Sequence, residues 1–263
     1  MGDDALTRKA ETAASFNSRA ADFDRQGLSA HFGRRLVDVV GIEPGQRVLD
    51  VATGRGAVLF PAIERVGTMG EAVGVDLAEG MVRAANEEAE RRGWGQPVRA
   101  MDAERLDFPD ATFDRVLCGF GVMFFPHLDQ ALSEFRRVLK PGGRLGLSTW
   151  RVGPFEEIQS VLDELHLGSP RSGWISDPDD LSRLLVRAGF ADVRVVTDPK
   201  THKYADVDEF WQSARHAGPR RLDFLDASQI ERTRTTLLDR LRAQERPDGL
   251  DLVAIALLGV AGR

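Results

Sequence analysis

The sequence predicts a doubly wound α/β sheet, and three observations predict it. Through residue 150, short apolar runs alternate with longer stretches of helical periodicity. The runs are rich in Val and Leu and almost unbroken in apolar character, as expected of parallel strands covered on both faces. The first run passes into a loop of small residues, Ala52-Thr53-Gly54-Arg55-Gly56, before the next helix.

The elements follow in order. The first 40 residues read as one or two amphipathic helices, with Phe16, Ala20 and Phe23 and then Phe32, Leu36, Val39 and Val40 on their apolar faces. They form a helical cap over residues 1–40, ahead of a main domain at 41–263. Strands are predicted at Arg47–Val51, Ala72–Asp76, Pro97–Met101, Phe113–Cys118 and Arg144–Thr149, each bounded by Gly, Pro or Asp. A helix over Gly80–Arg92 buries Met81, Val82, Ala85 and Ala89 and pairs Glu87 with Arg91 and Glu88 with Arg92 outside. Another over Gln130–Leu139 buries Ala131, Leu132, Phe135 and Val138, and Pro141-Gly142-Gly143 ends it.

Beyond residue 150 the rhythm changes. Pro154–Leu167 reads as helix. Asp177 caps the next one, with Pro178 at its first position, Leu181, Leu184, Leu185 and Ala188 inward, and Gly189 as its stop. A strand at Asp192–Val196 and a last strand at Asp251–Val260 are separated by helices over Asp206–Ala217 and Ser228–Ala243. Ser228 and Glu231 read as a capping box. The two helices interrupt a terminal strand pair, so residues 200–247 are expected to form a helical lid.

Composition narrows the partners. Of 263 residues, 35 are Lys or Arg and 41 Asp or Glu, a net charge of −6. That balance argues against nucleic acid or an anionic membrane as main partner. Cys118 is the only cysteine, which excludes an internal disulfide and a Cys-based metal site. No His/Cys/Asp/Glu set has metal-ligand spacing, so no metal is expected. The start, Met-Gly-Asp-Asp-Ala-Leu, lacks the basic-then-apolar order of a secretory signal, and the longest apolar run, Leu252–Ala261, is too short to span a bilayer. The expectation is a cytoplasmic monomer or homodimer with no membrane insertion.

The small-residue loop carries the chemistry. Glycines there let a ligand approach the backbone and free the amides of the following helix. A dinucleotide fingerprint would need a third glycine at position 59, which is Leu. A P-loop would need Gly-Lys-Ser/Thr, and Arg55-Gly56-Ala57 does not supply it. Asp50, at the end of the first strand, would repel a pyrophosphate and suit a cationic group such as an amino acid's amine. Asp76, twenty residues past Gly56, can accept from both hydroxyls of a ribose. The ligand so described is a phosphate-free adenosine joined to an amino acid, as in S-adenosylmethionine.

At these residues the sequence resembles the class I S-adenosylmethionine-dependent methyltransferases, in the ubiquinone/menaquinone-methyltransferase-like group. The resemblance covers residues 15–150. Asp50-Val51-Ala52-Thr53-Gly54-Arg55-Gly56 is similar to the family's acidic Gly-rich loop, with Ala52 where Gly is usual. Asp76 matches the ribose acid; Leu77 and Met81 follow it toward the adenine. Met101-Asp102-Ala103-Glu104 matches the segment capping the adenine, with Asp102 accepting from its amine. Cys118-Gly119-Phe120 matches the strand end along the methionine portion and the substrate mouth, and Arg137 to Gly143 the turn into the fifth strand. Phe16-Asn17 through Phe23-Asp24 resembles the helix closing over the cofactor. The resemblance implies a Rossmann-like seven-stranded sheet with its last strand antiparallel. It also implies S-adenosyl-L-methionine as cofactor, S-adenosyl-L-homocysteine as product, and methyl transfer to O, N or C of a small acceptor.

Acceptor contacts are expected from aromatic and rim residues: Phe16, Phe23, Phe124, Trp150, Arg151, Trp174, Tyr204 and Trp211. His127 is the candidate general base, because an imidazole titrates near working pH. Three alternatives stay open at this level: a scaffold recruited as a cyclase with retained cofactor, a non-enzymatic cofactor-binding module, and a nicotinamide-dependent oxidoreductase.

Overall fold

The computed structural model describes residues 2–21, 23, 27–168, 175–217, 222 and 224–263. Helices α1 (Gly2–Asn17) and α2 (Leu28–Val40) precede β1 (Arg47–Val51). The chain continues through α3 (Leu59–Val66), β2 (Glu71–Asp76), α4 (Glu79–Arg91), β3 (Val98–Ala100), β4 (Phe113–Gly119), α5 (Leu128–Val138) and β5 (Leu139–Val152). Then come α6 (Glu156–Glu164), α7 (Pro178–Arg187), β6 (Ala191–Tyr204), α8 (Val207–Ala217), α9 (Ala227–Arg242) and β7 (Leu250–Gly262).

The strands form one seven-stranded sheet in the order β3-β2-β1-β4-β5-β7-β6. β1 through β5 pair in parallel, and β7 runs antiparallel between β5 and β6. This is the Rossmann-like sheet with a reversed last strand that the sequence predicted. The strand order reverses between β1 and β4, so a crevice opens at their carboxyl ends.

Alternation along β1 divides the core. Val48 joins Phe32, Leu36, Leu59, Ala85 and Leu258 beneath α2, α3 and α4. Leu49 and Val51 join Leu132, Phe135, Leu181 and Leu185 beneath α5 and α7. A third cluster is separate: Phe155, Ile158, Phe210, Trp211, Leu237 and Leu241 bring α6, α8 and α9 together over the ends of β6 and β7. The helix after β5 therefore packs with the two inserted helices.

Three boundaries differ from the sequence reading. β6 continues to Tyr204, paired with Leu250, where only Asp192–Val196 was expected. Its second half, Thr197 to Lys203, is polar because β6 is an edge strand, and an edge also tolerates Pro199. β5 starts at Leu139, taking in the Pro141-Gly142-Gly143 segment that was expected only to stop a helix. The capping box of α9 is formed by Asp226 and Gln229, correcting Ser228 and Glu231. The Asp226 carboxylate accepts from Gln229 N–H at 2.8 Å, and the Gln229 side chain accepts from Asp226 N–H at 2.9 Å.

The glycine at 33 decides how close α2 comes to α3. A Cβ there would lie 2.1 Å from the Ala57 carbonyl oxygen. That oxygen belongs to backbone and cannot swing aside. Gly33→Ala is expected to cost about 1–3 kcal/mol by overpacking, seen as a lower urea midpoint at unchanged slope. An unaltered midpoint would show that α2 is not held against α3 in this way.

Candidate functional site

The loop after β1 is built by its own hydrogen bonds. Thr53 N–H donates to the Val75 carbonyl at 3.0 Å and Gly56 N–H to the Thr53 carbonyl at 2.9 Å. Ala52 sits in the left-handed region at φ 55°. An L residue there costs about 1–2 kcal/mol, the physical reason glycine suits the position and a sign that Ala52 is not a neutral replacement. Gly54 is left-handed at φ 54°, and a Cβ on it would meet nothing within 4 Å, so its backbone borders open space.

Two carboxylates meet at this loop. Asp76 accepts from Gly54 N–H and from Ala78 N–H, each at 2.8 Å. It therefore ties the loop to the start of α4 and keeps lone pairs free, since an ionised carboxylate offers about four acceptor positions. Asp50 is fully buried. Its Oδ2 accepts from the Thr53 hydroxyl at 2.6 Å, and its Oδ1 has no partner among the described residues. Burial pushes Asp50 up to about 7; the Thr53 hydroxyl and Leu59 N–H oppose this, and the Asp76 charge adds to it. Burial also raises Asp76, against the N–H groups of Ala78, Gly54 and Leu77. An orphaned buried carboxylate oxygen, four residues before a glycine with open space at its Cα, is a group that a cationic ligand completes. The residues present thus fit an S-adenosylmethionine-type cofactor.

The side of the crevice toward β3 holds the next group. Leu77 is exposed, whereas Met81 is buried with Ala20, Ala78, Phe16 and Phe23. Asp102 Oδ1 accepts from Glu104 N–H at 2.9 Å, and its Oδ2 from Lys9 Nζ at 2.7 Å. Glu104 is buried, and so is Ala103. Glu104 takes Lys9 Nζ at 2.5 Å, His127 N–H at 2.8 Å and His127 Nδ1 at 3.0 Å. Burial alone would raise Glu104, but the Lys9 ammonium and the His127 groups outweigh it and hold the carboxyl below its ordinary range. His127 stands at the start of α5 with its side chain half exposed.

The N-terminal segment is fastened to the loop after β1, to α4 and to the segment after β3. Besides Lys9, Asn17 Oδ1 accepts from Gly80 N–H at 2.7 Å, and Arg55 Nη1 donates to the Ala21 carbonyl at 2.9 Å. Phe16 sets its edge against Phe124 at 5.1 Å and lies 5.8 Å from Phe23. Sequence reasoning found the two phenylalanines and Asn17 as part of the closing helix, but not Lys9 and not the partner of Asn17. Nothing local marks these contacts, because the partners lie 93 and 63 residues away.

Toward β5, an aromatic group closes the ends of β4 and β5, with Phe32 and Trp150 buried and Phe120 partly exposed. Phe120, left-handed at φ 56°, stacks on Trp150 at 3.9 Å and 17°. Phe32 sets its edge toward Trp150 at 5.3 Å and toward Phe120 at 5.8 Å. Phe120 N–H is held by Ser148, to the carbonyl at 3.2 Å and the hydroxyl at 3.1 Å. A left-handed non-glycine residue so anchored is the kind of strain that gathers at functional sites. Cys118 is buried and its thiol pushed well up by that burial, which makes it a packing residue. Gly119 leaves room for Val58, whose Cγ2 would lie 2.6 Å from an added Cβ. Arg151 is exposed at the β5 bulge. Tyr204 and Trp211 fall elsewhere: both are enclosed in the α6–α8–α9 cluster, not in the group around Trp150. Trp174 lies outside the described residues. A cavity of about 570 Å³ between α5, α7 and Arg263 shares none of these residues. Among the described residues no helix is long and apolar enough to cross a membrane.

The fold is a Rossmann-like sheet with an acidic, glycine-bearing loop at its switch point, and comparison with known proteins gives its family. Residues 48–143 match the family model described as a methyltransferase domain. The chain is 34% identical over 210 residues to aklanonic acid methyltransferase DauC of Streptomyces sp. (strain C5), covering 72% of this chain and 96% of that protein. It is 40% identical to nocamycin O-methyltransferase of Saccharothrix syringae, over 57% of this chain and 58% of the other. It is 37% identical to the ubiquinone/menaquinone C-methyltransferase UbiE of Bordetella avium, over 51% and 55%. These last two matches thus span little more than half of each relative's length. Among solved structures, the YcgJ protein of Bacillus subtilis superposes with a TM-score of 0.64 at 21% identity, over 89% of this chain and 98% of the other. The [4+2]-cyclase SpnF has the same fold, with a TM-score of 0.56 at 21% identity over 88% and 80%. The chain belongs to the S-adenosylmethionine-dependent methyltransferase family.

Removing Lys9 tests the N-terminal attachment. Lys9→Met leaves Glu104 buried with one less donor, a loss of about 1–3 kcal/mol. Amide exchange across α1 is expected to rise about tenfold or more, with exchange in β1 and β4 unchanged. Unchanged exchange in α1 would mean that the ion pairs do not hold it.

Proposed function

We propose that this enzyme transfers the methyl group of S-adenosylmethionine to O, N or C of a small, hydrophobic, planar metabolite. The observation that carries the acceptor class is Phe120, partly exposed at the end of β4 and stacked on the buried Trp150. Two relatives named for aklanonic acid and nocamycin support a small-molecule acceptor.

When bound, the cofactor supplies a methyl group on a positively charged sulfur that departs as a neutral thioether. The chain's own residues bind and orient. Asp50 Oδ1 meets the positive portion, Asp76 accepts from the ribose hydroxyls, and Asp102 accepts from the adenine amine while Lys9 keeps its hold on Glu104. The loop residues Ala52, Thr53, Gly54 and Gly56 shape the backbone under the amino-acid portion. Leu77, Met81, Ala103 and Glu104 bound the adenine end, and Cys118, Gly119 and Phe120 the sulfur end. Phe16, Phe23 and Phe124 exclude water from above, and Arg151 borders the mouth beside Trp150. Holding the acceptor in line lowers the barrier by several kcal/mol through effective molarity alone.

His127 serves this scheme as a ligand of Glu104 and not as a base. General-base removal costs about a hundredfold or more. His127→Ala is expected to lower kcat by less than about threefold. A hundredfold fall would restore the general-base assignment.

The reaction class is tested by the methyl balance. Transfer yields one S-adenosylhomocysteine per product, whereas a cyclase yields none. Asp76→Ala is expected to weaken cofactor binding by about 1–3 kcal/mol through lost charge-assisted hydrogen bonds. An unaltered dissociation constant would remove Asp76 from the ribose.

Asp50 gives a pH signature. A cation against Oδ1 favours the ionised carboxylate. Cofactor affinity should therefore climb as pH rises toward about 7 and level off above it. For the free protein the sign reverses. Asp50 ionises less readily folded than unfolded, so its contribution to stability falls as pH rises from 3.8 to about 7. Asp50→Asn should bind weakly with a flat profile in calorimetry; a wild-type profile flat over the same range would contradict the assignment.

A further inference from the structure

The cavity between α5, α7 and Arg263 lies apart from the crevice, and its lining has a polarity of its own. Asp129, Ser133, Arg136 and Arg137 stand at i, i+4, i+7 and i+8 on α5, so they form one ridge along it. Arg187, in the last turn of α7, lines the cavity across from that ridge, and Arg263 closes the end beside Arg137. From Asp129 to Arg136 the ridge rises about 10 Å along the helix axis. Asp129, Ser133, Arg136 and Arg187 are exposed, so the cavity is open to solvent. Its volume of about 570 Å³ is that of a small-metabolite site.

The four arginines are unequally engaged. Arg137 uses its whole guanidinium, on Glu134 at 2.7 Å, on Asp110 at 2.8 Å and on the carbonyls of Leu106 and Phe108. Arg136 gives only Nε, to the Gly189 carbonyl at 3.0 Å. Arg263 gives only Nη1, to the Arg137 and Leu139 carbonyls. Arg187 makes no side-chain hydrogen bond or ion pair with another described residue, and neither does Asp129. Capping of helix ends accounts for one nitrogen each of Arg136 and Arg263. Those bonds hold the two guanidiniums in place and leave their remaining N–H groups without a partner among the described residues. Three positive charges there outweigh the roughly half negative charge at each of two helix ends.

We infer that this cavity binds a small phosphorylated metabolite that also bears hydroxyl groups. Its phosphate lies among Arg136, Arg187 and Arg263, and its hydroxyls donate to the Asp129 carboxylate and meet Ser133. Guanidinium N–H groups come in forks that match phosphate oxygens two at a time. Asp129 is about a Debye length from the phosphate and repels it little. At its own end it accepts from hydroxyls and turns away a second anion. One end of the cavity thus selects the phosphate and the other selects what the phosphate is attached to.

The test is calorimetry on the full chain at neutral pH and about 0.15 M salt, with ribose 5-phosphate, inorganic phosphate and ribose as probes. The wild type should bind ribose 5-phosphate at least about fivefold more tightly than inorganic phosphate, and ribose not measurably. Arg187→Gln should weaken ribose 5-phosphate about tenfold. Arg183→Gln removes the same charge one turn earlier, from a residue paired with Asp180 outside the cavity, and should change affinity by less than about twofold. Asp129→Ala should abolish the advantage of ribose 5-phosphate over inorganic phosphate while leaving inorganic phosphate within about twofold. Binding of no probe, equal affinity of the wild type for the two phosphates (an adventitious ion only), or equal losses in Arg183→Gln and Arg187→Gln would each overturn the inference.

Discussion

A carboxylate sealed in the interior with one oxygen left unmatched is a standing cost, and in this protein Asp50 bears it at the point where β1 ends. The Thr53 hydroxyl satisfies one oxygen; the other is buried and has no partner among the described residues. Burial makes the charged form costly until a positive group arrives. Asp76, on the neighbouring strand, holds the loop in the conformation that leaves Asp50 so placed. The pair thus links the architecture of the loop to the charge of what the loop binds.

Around that centre lie two unlike groups of side chains. The group toward β3 is polar and cross-linked, with Asp102, Glu104, Lys9 and His127 hydrogen-bonded together. The group toward β5 is aromatic, with Phe120, Trp150 and Phe32 in mutual contact. The N-terminal segment reaches the polar side through Lys9 and packs Phe16 against Phe124.

Much of this was legible from local pattern. The strands β1, β2 and β4 announced themselves because buried parallel strands are apolar throughout. Asp50, Gly54 and Asp76 stood out because an acid, a glycine loop and a second acid follow in order at the ends of two neighbouring strands. β6 was cut short in the reading because an edge strand carries polar residues such as Lys200 and His202 that mimic a loop. Tyr204 and Trp211 were placed at the acceptor on residue type alone. Their burial in a separate cluster depends on α6, distant in sequence, packing with α8 and α9. His127 was named from residue type; the fold adds that Glu104, 23 residues earlier, engages its Nδ1.

By itself the sequence determined the order of strands and helices, the acidic glycine loop and hence the class of cofactor, because each is written in residues close together along the chain. The tertiary structure decided which oxygen of Asp50 is left unmatched, which helix covers the crevice, and which aromatic rings face one another. Those depend on contacts between residues dozens of positions apart, and periodicity within one element carries no information about which distant element will pack against it.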